Sequence, residues 1–250
     1  MGEPAGGIQV GVLGQYASGK TEAARTLVRH LGGEGQVVFL TDRVLFARQA
    51  INYLLELDDS QVSMSREQDG RRRLEAELAT IWLRPGEDLR TVDPGTLHFD
   101  SVDEQALYGW RRRAKIELGR EIHERSAEER PIVIEVAFGP NAEPADEKSF
   151  GRTIPDLFAR LERAGVEPRQ VRWIIVEASF ERRSKRNEKR RDSIPAEYFA
   201  RLGADGGDLT PEDQTRLEKQ GTIIKRVPND HDDVERFRAE IIAAFDEMFR

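Results

Sequence analysis

Eight consecutive residues near the N-terminus match the pattern G-x-x-x-x-G-K-[S/T], a spacing suited to holding phosphate groups. Two glycines permit a tight turn in which backbone N–H groups point inward, toward an anion. The lysine reaches β- and γ-phosphate oxygens, and the threonine hydroxyl suits Mg²⁺. We therefore predict a site for ATP, or another nucleoside triphosphate, together with Mg²⁺. The residues of this P-loop are Gly14, Gln15, Tyr16, Ala17, Ser18, Gly19, Lys20 and Thr21.

A strongly basic segment is a second candidate for phosphate chemistry, because seven of the twelve residues from Glu181 to Asp192 are arginine or lysine. Arg182, Arg186 and Arg190 are spaced by four and therefore share one face of a helix. Guanidinium groups carried by a lid offset the negative charge that phosphoryl transfer spreads over the γ-phosphate. We expect residues 180–203 to form such a lid, with these three arginines acting in catalysis. The alternative is a solvated basic surface.

Two carboxylates are candidates for metal binding and acid–base work. Glu135 lies inside an apolar run, where a charge is costly unless it has a partner. It is expected to hold Mg²⁺ through water or to bind an acceptor hydroxyl, and a structural ion pair is the alternative. Asp42 follows another apolar run and is a candidate catalytic base, a helix N-cap, or both. Arg43 beside it is expected to bind an acceptor phosphate.

Five short apolar runs predict the strands that position these residues. Most are β-branched and nearly continuous, as in a parallel sheet covered on both faces. Helical patterns separate them, which predicts an α/β fold with a doubly wound, five-stranded parallel sheet. Together with the P-loop, this indicates the three-layer P-loop NTPase fold. The runs are Ile8–Leu13, Val37–Leu40, Ile132–Val136, Val171–Val176 and Thr222–Val227. The helical patterns are Thr21–Leu31, Val44–Leu57, Asp103–Arg125, Ile154–Ala164 and Val234–Met248.

The chain between the second and third predicted strands is much longer than a crossover needs. We interpret residues 58–126 as an acceptor-binding insertion within a single domain of residues 1–250. Its first part, residues 58–100, is polar and rich in turn formers. Asp100, Tyr108 and Arg112 are candidate acceptor-binding residues, because rings and charges near Trp110 suit stacking and phosphate pairing. An ordinary aromatic core contact is the alternative.

Composition narrows the function classes. The chain has 250 residues, of which 38% are hydrophobic and 34% charged, which suits one well-solvated core. It has no cysteine, which excludes disulfides. Its formal net charge of −7 argues against extended binding to nucleic acid. No apolar run is long enough to span a bilayer, so we expect no membrane association and a cytoplasmic location. Homodimer formation is left open.

Three features resemble the nucleoside and nucleotide kinase branch of P-loop proteins. They are the P-loop, the arginine-rich segment that continues into Ile194–Leu202, and the final strand Ile223–Asp230. The resemblance implies an ATP- and Mg²⁺-dependent kinase with Asn229 near the adenine site. A weaker likeness to uridine kinases and phosphoribulokinases lies in Leu97–Leu107. Deoxynucleoside kinases have an arginine directly after the acidic residue of the third strand, where this chain has Val136, so only the branch is implied.

The combined pattern predicts a kinase that transfers the γ-phosphoryl group of ATP to a small acceptor such as a nucleoside, nucleotide or sugar. Two alternatives stay open at this point. One is a regulatory ATPase without a small-molecule acceptor, and the other is a kinase acting on a polynucleotide end. The sequence leaves undecided the acceptor, the choice between ATP and GTP, and which carboxylate is the base.

Overall fold

The computed structural model describes residues 7–66, 71–101, 104–139, 153–189, 196, 199–200 and 208–250. The backbone divides into two compact units, one comprising the chain up to Thr41 together with Leu118–Arg250, the other Asp42–Glu117. The elements are, in chain order, β1 (Gln9–Gly14), α1 (Lys20–His30), β2 (Val38–Thr41), α2 (Asp42–Glu56), β3 (Ser63–Arg66), β4 (Arg72–Ala76), β5 (Ala79–Leu83), β6 (His98–Ser101), α3 (Glu104–Arg125), β7 (Ile132–Ala137), α4 (Ile154–Arg163), β8 (Arg172–Glu177), α5 (Phe180–Glu188), α6 (Pro211–Lys219), β9 (Ile224–Pro228) and α7 (Val234–Met248).

The first unit is built on a parallel sheet with the strand order β2–β7–β1–β8–β9. These are the five strands predicted from the apolar runs, so the P-loop NTPase fold is confirmed. The central strand, β1, has all six residues buried, which explains why its sequence is apolar without alternation. Because parallel strands end at the same edge, the P-loop after β1 and Glu135 near the end of β7 come to one edge of the sheet.

Helices cover this sheet on both faces. On one face α1 and α7 bury a cluster that includes Val10 and Val12 of β1, Leu27 of α1 and Ile241 of α7. On the other face α4 packs against β8, where the rings of Phe158 and Trp173 meet edge to face, 5.2 Å apart. The three-layer arrangement follows from these two apolar surfaces.

The close approach of β1 to Trp173 depends on a glycine. Gly11 pairs with Trp173 in the register of β1 and β8, and a Cβ added to Gly11 would overlap the indole ring. Trp173 is 1% exposed, so the ring has no free space into which to turn. Only glycine at position 11 fits this packing.

Replacing Gly11 with alanine is expected to destabilise the protein by about 1–3 kcal/mol or more, because overpacking forces the buried ring from its position. Urea unfolding monitored by circular dichroism measures the loss. The double variant with Trp173→Leu should be less destabilised than the sum of the two single changes, since the shorter side chain makes room for the methyl group. Equal stability of the wild type and Gly11→Ala would contradict this packing.

The second unit contains an antiparallel sheet, β3–β4–β5–β6, against which α2 packs. The sequence of residues 58–100 is polar and rich in turn formers, and we predicted no strand there, whereas the structure has four short strands between residues 63 and 101. Each strand has only four or five residues, so the alternation of buried and exposed side chains covers few positions. In β4, for example, Leu74 and Ala76 are buried, whereas Arg73 and Glu75 are half-buried. Charged residues on one face made the segment look polar overall, while the other face carries the core.

The core of the second unit joins both secondary-structure types. Ile51 and Leu54 of α2 pack with Ile81 of β5 and with Trp110 of α3.

Among the described residues of the chain, no helix is both long and apolar enough to cross a membrane. The predicted division into one domain with residues 58–126 as an acceptor-binding insertion stays a prediction.

Candidate functional site

The P-loop connects the end of β1 to the start of α1. Ala17 and Gly19 have left-handed φ values of 61° and 104°, and Ser18 N–H donates to the Gln15 carbonyl at 3.1 Å. Gly19 is the N-cap of α1 and has no side chain to accept from the first helical N–H groups. Backbone N–H donors at the start of the helix and the positive end of the helix dipole together suit an anion at this point.

A carboxylate lies directly beside the P-loop threonine. Thr21 Oγ1 donates a hydrogen bond to Glu135 Oε1 at 2.5 Å, and Glu135 is 7% exposed. Glu135 is held there because β7 pairs with β1 in register, with Val12 opposite Glu135. The structure therefore brings together the two residues predicted to bind Mg²⁺. No group of three or more acidic or histidine side chains able to hold a metal occurs in the part of the chain that the structure describes.

A row of aromatic contacts runs from the P-loop to α5. Lys20 Nζ lies 5.9 Å from the centroid of the Tyr16 ring. Tyr16 in turn meets Phe199 edge to face at 5.9 Å, and Phe199 lies 5.5 Å from Phe180, the first residue of α5. Phe199 is 1% exposed. These contacts join the P-loop to Phe180 and Phe199 of the predicted lid, and no sequence pattern predicted them.

The lid arginines are only partly described. Arg186 donates from Nη1 to the Ser18 carbonyl at 3.1 Å, and from Nη2 to Asn229 Oδ1 and to the His231 carbonyl, both at 3.0 Å. Arg182 pairs with Asp232 at 3.0 Å. Arg190 lies outside the described residues. The structure thus brings Arg186 to the P-loop backbone and Arg182 to the segment after β9.

The segment after β9 holds the start of α5. Asp230 accepts from the Ser179 backbone N–H at 2.8 Å, and this bond lowers the pKa of the Asp230 carboxyl. Burial lowers the pKa of the Arg186 guanidinium, and the charge of Arg182 nearby adds to the effect. Asn229, expected near an adenine site, is 4% exposed and donates to the Ser18 carbonyl at 2.7 Å. A signal was present in the sequence, because four acidic or amide residues directly follow β9 and could pair with the basic segment: Asn229, Asp230, Asp232 and Asp233.

The remaining predicted residues belong to the second unit. Asp42 is the first residue of α2 and directly follows Thr41, which is paired with Glu135 in the register of β2 and β7. Arg43 and Arg112 are exposed. Position 100 lies in β6 and position 108 in α3, and the side chains of Asp100 and Tyr108 lie outside the described part of the structure.

The aromatic group beside these candidates belongs to the core. Trp110 is 3% exposed and contacts the rings of Phe46 and Tyr53 at 6.1 and 5.6 Å. Two alternatives were considered for this region, a stacking surface and an aromatic core contact. Trp110 makes a core contact. Its indole ring is enclosed among side chains of its own unit.

Comparisons with known proteins give distant likenesses. No protein-family model and no curated protein sequence matches the chain. Among solved structures, a sugar kinase from a Janibacter species covers 96% of this chain and 95% of its own, with 14% identity and a TM-score of 0.48. The protein TT1252 from Thermus thermophilus covers 98% and 99%, with 19% identity and a TM-score of 0.46. A thymidylate kinase from Ehrlichia chaffeensis covers 96% and 99%, with 14% identity and a TM-score of 0.43. The activities named belong to those proteins, and the nucleoside and nucleotide kinase branch stays a prediction for this chain.

Proposed function

We propose that this protein is an ATP- and Mg²⁺-dependent kinase that transfers the γ-phosphoryl group to a small acceptor, such as a nucleoside, nucleotide or sugar. The observation that carries the proposal is the Thr21–Glu135 pair beside the P-loop. A phosphate cradle alone binds nucleotide, whereas a hydroxyl and a carboxylate next to it can hold the Mg²⁺ that neutralises charge during phosphoryl transfer.

The residues present fit both groups. Ser18 is fully buried, and its hydroxyl oxygen has no hydrogen-bond partner within the described residues. A buried polar atom in that condition is costly, and an oxygen of a bound phosphate would relieve the cost. Mg²⁺ takes one or two protein oxygens and fills its other positions with phosphate oxygens and water, so the Thr21–Glu135 pair is sufficient.

Each remaining residue has a proposed part in this reaction. Lys20 would offset charge on the β- and γ-phosphates, and Arg182 would add positive charge from α5. Asp42 would orient or deprotonate the acceptor hydroxyl, since it follows a strand that ends at the same edge as β1. Further roles proposed from the sequence alone are a lid formed by residues 180–203 that includes Arg190, and acceptor contacts from Arg43, Asp100, Tyr108 and Arg112.

Incubation with ATP, Mg²⁺ and a pool of nucleosides, nucleotides and sugars tests the function. We expect a phosphorylated product, detected by mass spectrometry, and ADP release that rises with the acceptor. Separate incubations with each acceptor class then identify the substrate. ADP release that no acceptor stimulates would count against a kinase and favour an ATPase.

A further inference from the structure

One backbone carbonyl in the P-loop receives two side-chain hydrogen bonds from distant parts of the chain. The Ser18 oxygen accepts from Asn229 Nδ2 at 2.7 Å and from Arg186 Nη1 at 3.1 Å. Asn229 follows β9 and Arg186 lies on α5, so the two donors come from different elements. Both donors approach the loop on the side to which this carbonyl points.

The planarity of the peptide bond fixes what this does to the next residue. In a trans peptide the C=O and the following N–H point in opposite directions, and no cis peptide occurs in the described residues. Since the Ser18 carbonyl is held by Asn229 and Arg186, the N–H of Gly19 points away from both of them. In the proposed function, this N–H would be one of the inward-facing backbone donors that hold the phosphate.

The same contacts restrict Gly19 itself. Its φ of 104° is open mainly to glycine, and a Cβ at this position would overlap the Asn229 amide nitrogen. Asn229 therefore lies close against the glycine whose N–H must be aimed. Glycine permits several backbone conformations, so hydrogen bonds from other elements are needed to hold the Ser18–Gly19 peptide in one orientation.

The guanidinium of Arg186 is committed to protein acceptors. Nη1 bonds to Ser18, while Nη2 bonds to Asn229 Oδ1 and to the His231 carbonyl. These three bonds fix the plane of the group, and the bond from Arg186 to Asn229 in turn orients the amide that holds Ser18. An arginine that stabilises charge only in the transition state would need its donors directed at the γ-phosphate.

We propose that Arg186 is a positioning residue that, with Asn229, aims the Gly19 N–H at the β-phosphate through the Ser18–Gly19 peptide. The inference rests on the proposed function in that it requires nucleotide in the P-loop. It replaces the expectation from the sequence that Arg186 acts on the γ-phosphate in the transition state. The effect is on the ground state, and it is the same for ADP and ATP because both carry a β-phosphate.

Isothermal titration calorimetry with Mg·ADP and Mg·ATP tests the inference without requiring turnover. Arg186→Ala and Asn229→Asp are each expected to weaken the binding of both nucleotides by about 10-fold, which is the loss of roughly one hydrogen bond to a fixed group. Asn229→Asp removes the donor to Ser18 but keeps an acceptor for Arg186, so it remains informative if Arg186→Ala fails to fold. The double variant should have an affinity for both nucleotides only slightly below that of the single variant that binds them less tightly, because both changes release the same Ser18 carbonyl.

Lys185→Ala is the matched control. Lys185 lies on the same helix and pairs with Glu181 on the surface, so its loss should leave nucleotide affinity unchanged. Adenosine, which has no phosphate, should bind the wild type and Arg186→Ala equally.

Two results would overturn the inference, and they differ from failure of the proposed function. If Arg186→Ala binds both nucleotides as the wild type does and only kcat falls, Arg186 acts on the transition state. If the affinity for ATP falls and that for ADP does not, Arg186 contacts the γ-phosphate. If the wild type itself binds neither nucleotide, the proposed function fails first.

Discussion

Lys20→Ala is expected to lower kcat by at least about 10²-fold while leaving the fold intact, because it removes the cation that offsets charge on the β- and γ-phosphates. Lys20 is the first residue of α1, and alanine has the highest helix propensity, so the helix should form as before. The rate of ADP release should fall steeply, while the circular dichroism spectrum and the melting temperature should stay close to those of the wild type.

Arg25→Ala is the control for this change. Arg25 is an exposed cation on the same helix, and its removal should alter neither turnover nor melting temperature appreciably. Turnover retained in Lys20→Ala would be incompatible with phosphate binding in the P-loop, and the whole assignment of the site would be withdrawn.

Glu135→Gln is the second change with a large expected effect. Glutamine has nearly the same shape and can still accept from the Thr21 hydroxyl, but it has no negative charge to favour a cation. We expect the Mg²⁺ concentration that gives half-maximal turnover to rise by about 10- to 100-fold, the range seen when a group that orients a metal is changed. A Mg²⁺ titration at saturating ATP measures the shift.

Thr21→Ser provides the comparison for Glu135→Gln. Serine keeps the hydroxyl that donates to Glu135, so the Mg²⁺ requirement should stay near that of the wild type. Should Glu135→Gln leave the Mg²⁺ requirement unchanged and lower only the melting temperature, the carboxylate would have a structural role as the acceptor for Thr21, which differs from the ion pair considered from the sequence.

The parts of the fold that follow one strong pattern were predictable. β1 and β7 are continuous apolar runs because they are covered on both faces, and such runs are visible without knowledge of their neighbours. The P-loop was predictable because the spacing of its glycines, lysine and threonine is a motif that can be read from the sequence alone. The C-terminal helix was predicted from its single apolar stripe, and the first and last residues of that stripe, Val234 and Met248, are the ends of the observed helix.

What depends on pairing between distant segments was not predictable. The bond between Thr21 and Glu135 requires the register of β1 against β7, which no local pattern specifies. The direction of the Arg186 side chain depends on acceptors after β9, and sequence spacing gave only its helical face. In the second unit, strands of four or five residues are too short for alternation to stand out against a polar background.

The two side chains that hold the Ser18 carbonyl lie 168 and 211 residues further along the chain. Contacts between residues so far apart in sequence are costly to form early in folding, because closing the intervening loop reduces the conformational entropy of the chain. The contacts that hold the P-loop are thus complete only after β9 has joined the sheet, although the eight P-loop residues are synthesised well before α5 and β9. On a growing chain, the ability to bind nucleotide tightly would be acquired at the end of folding.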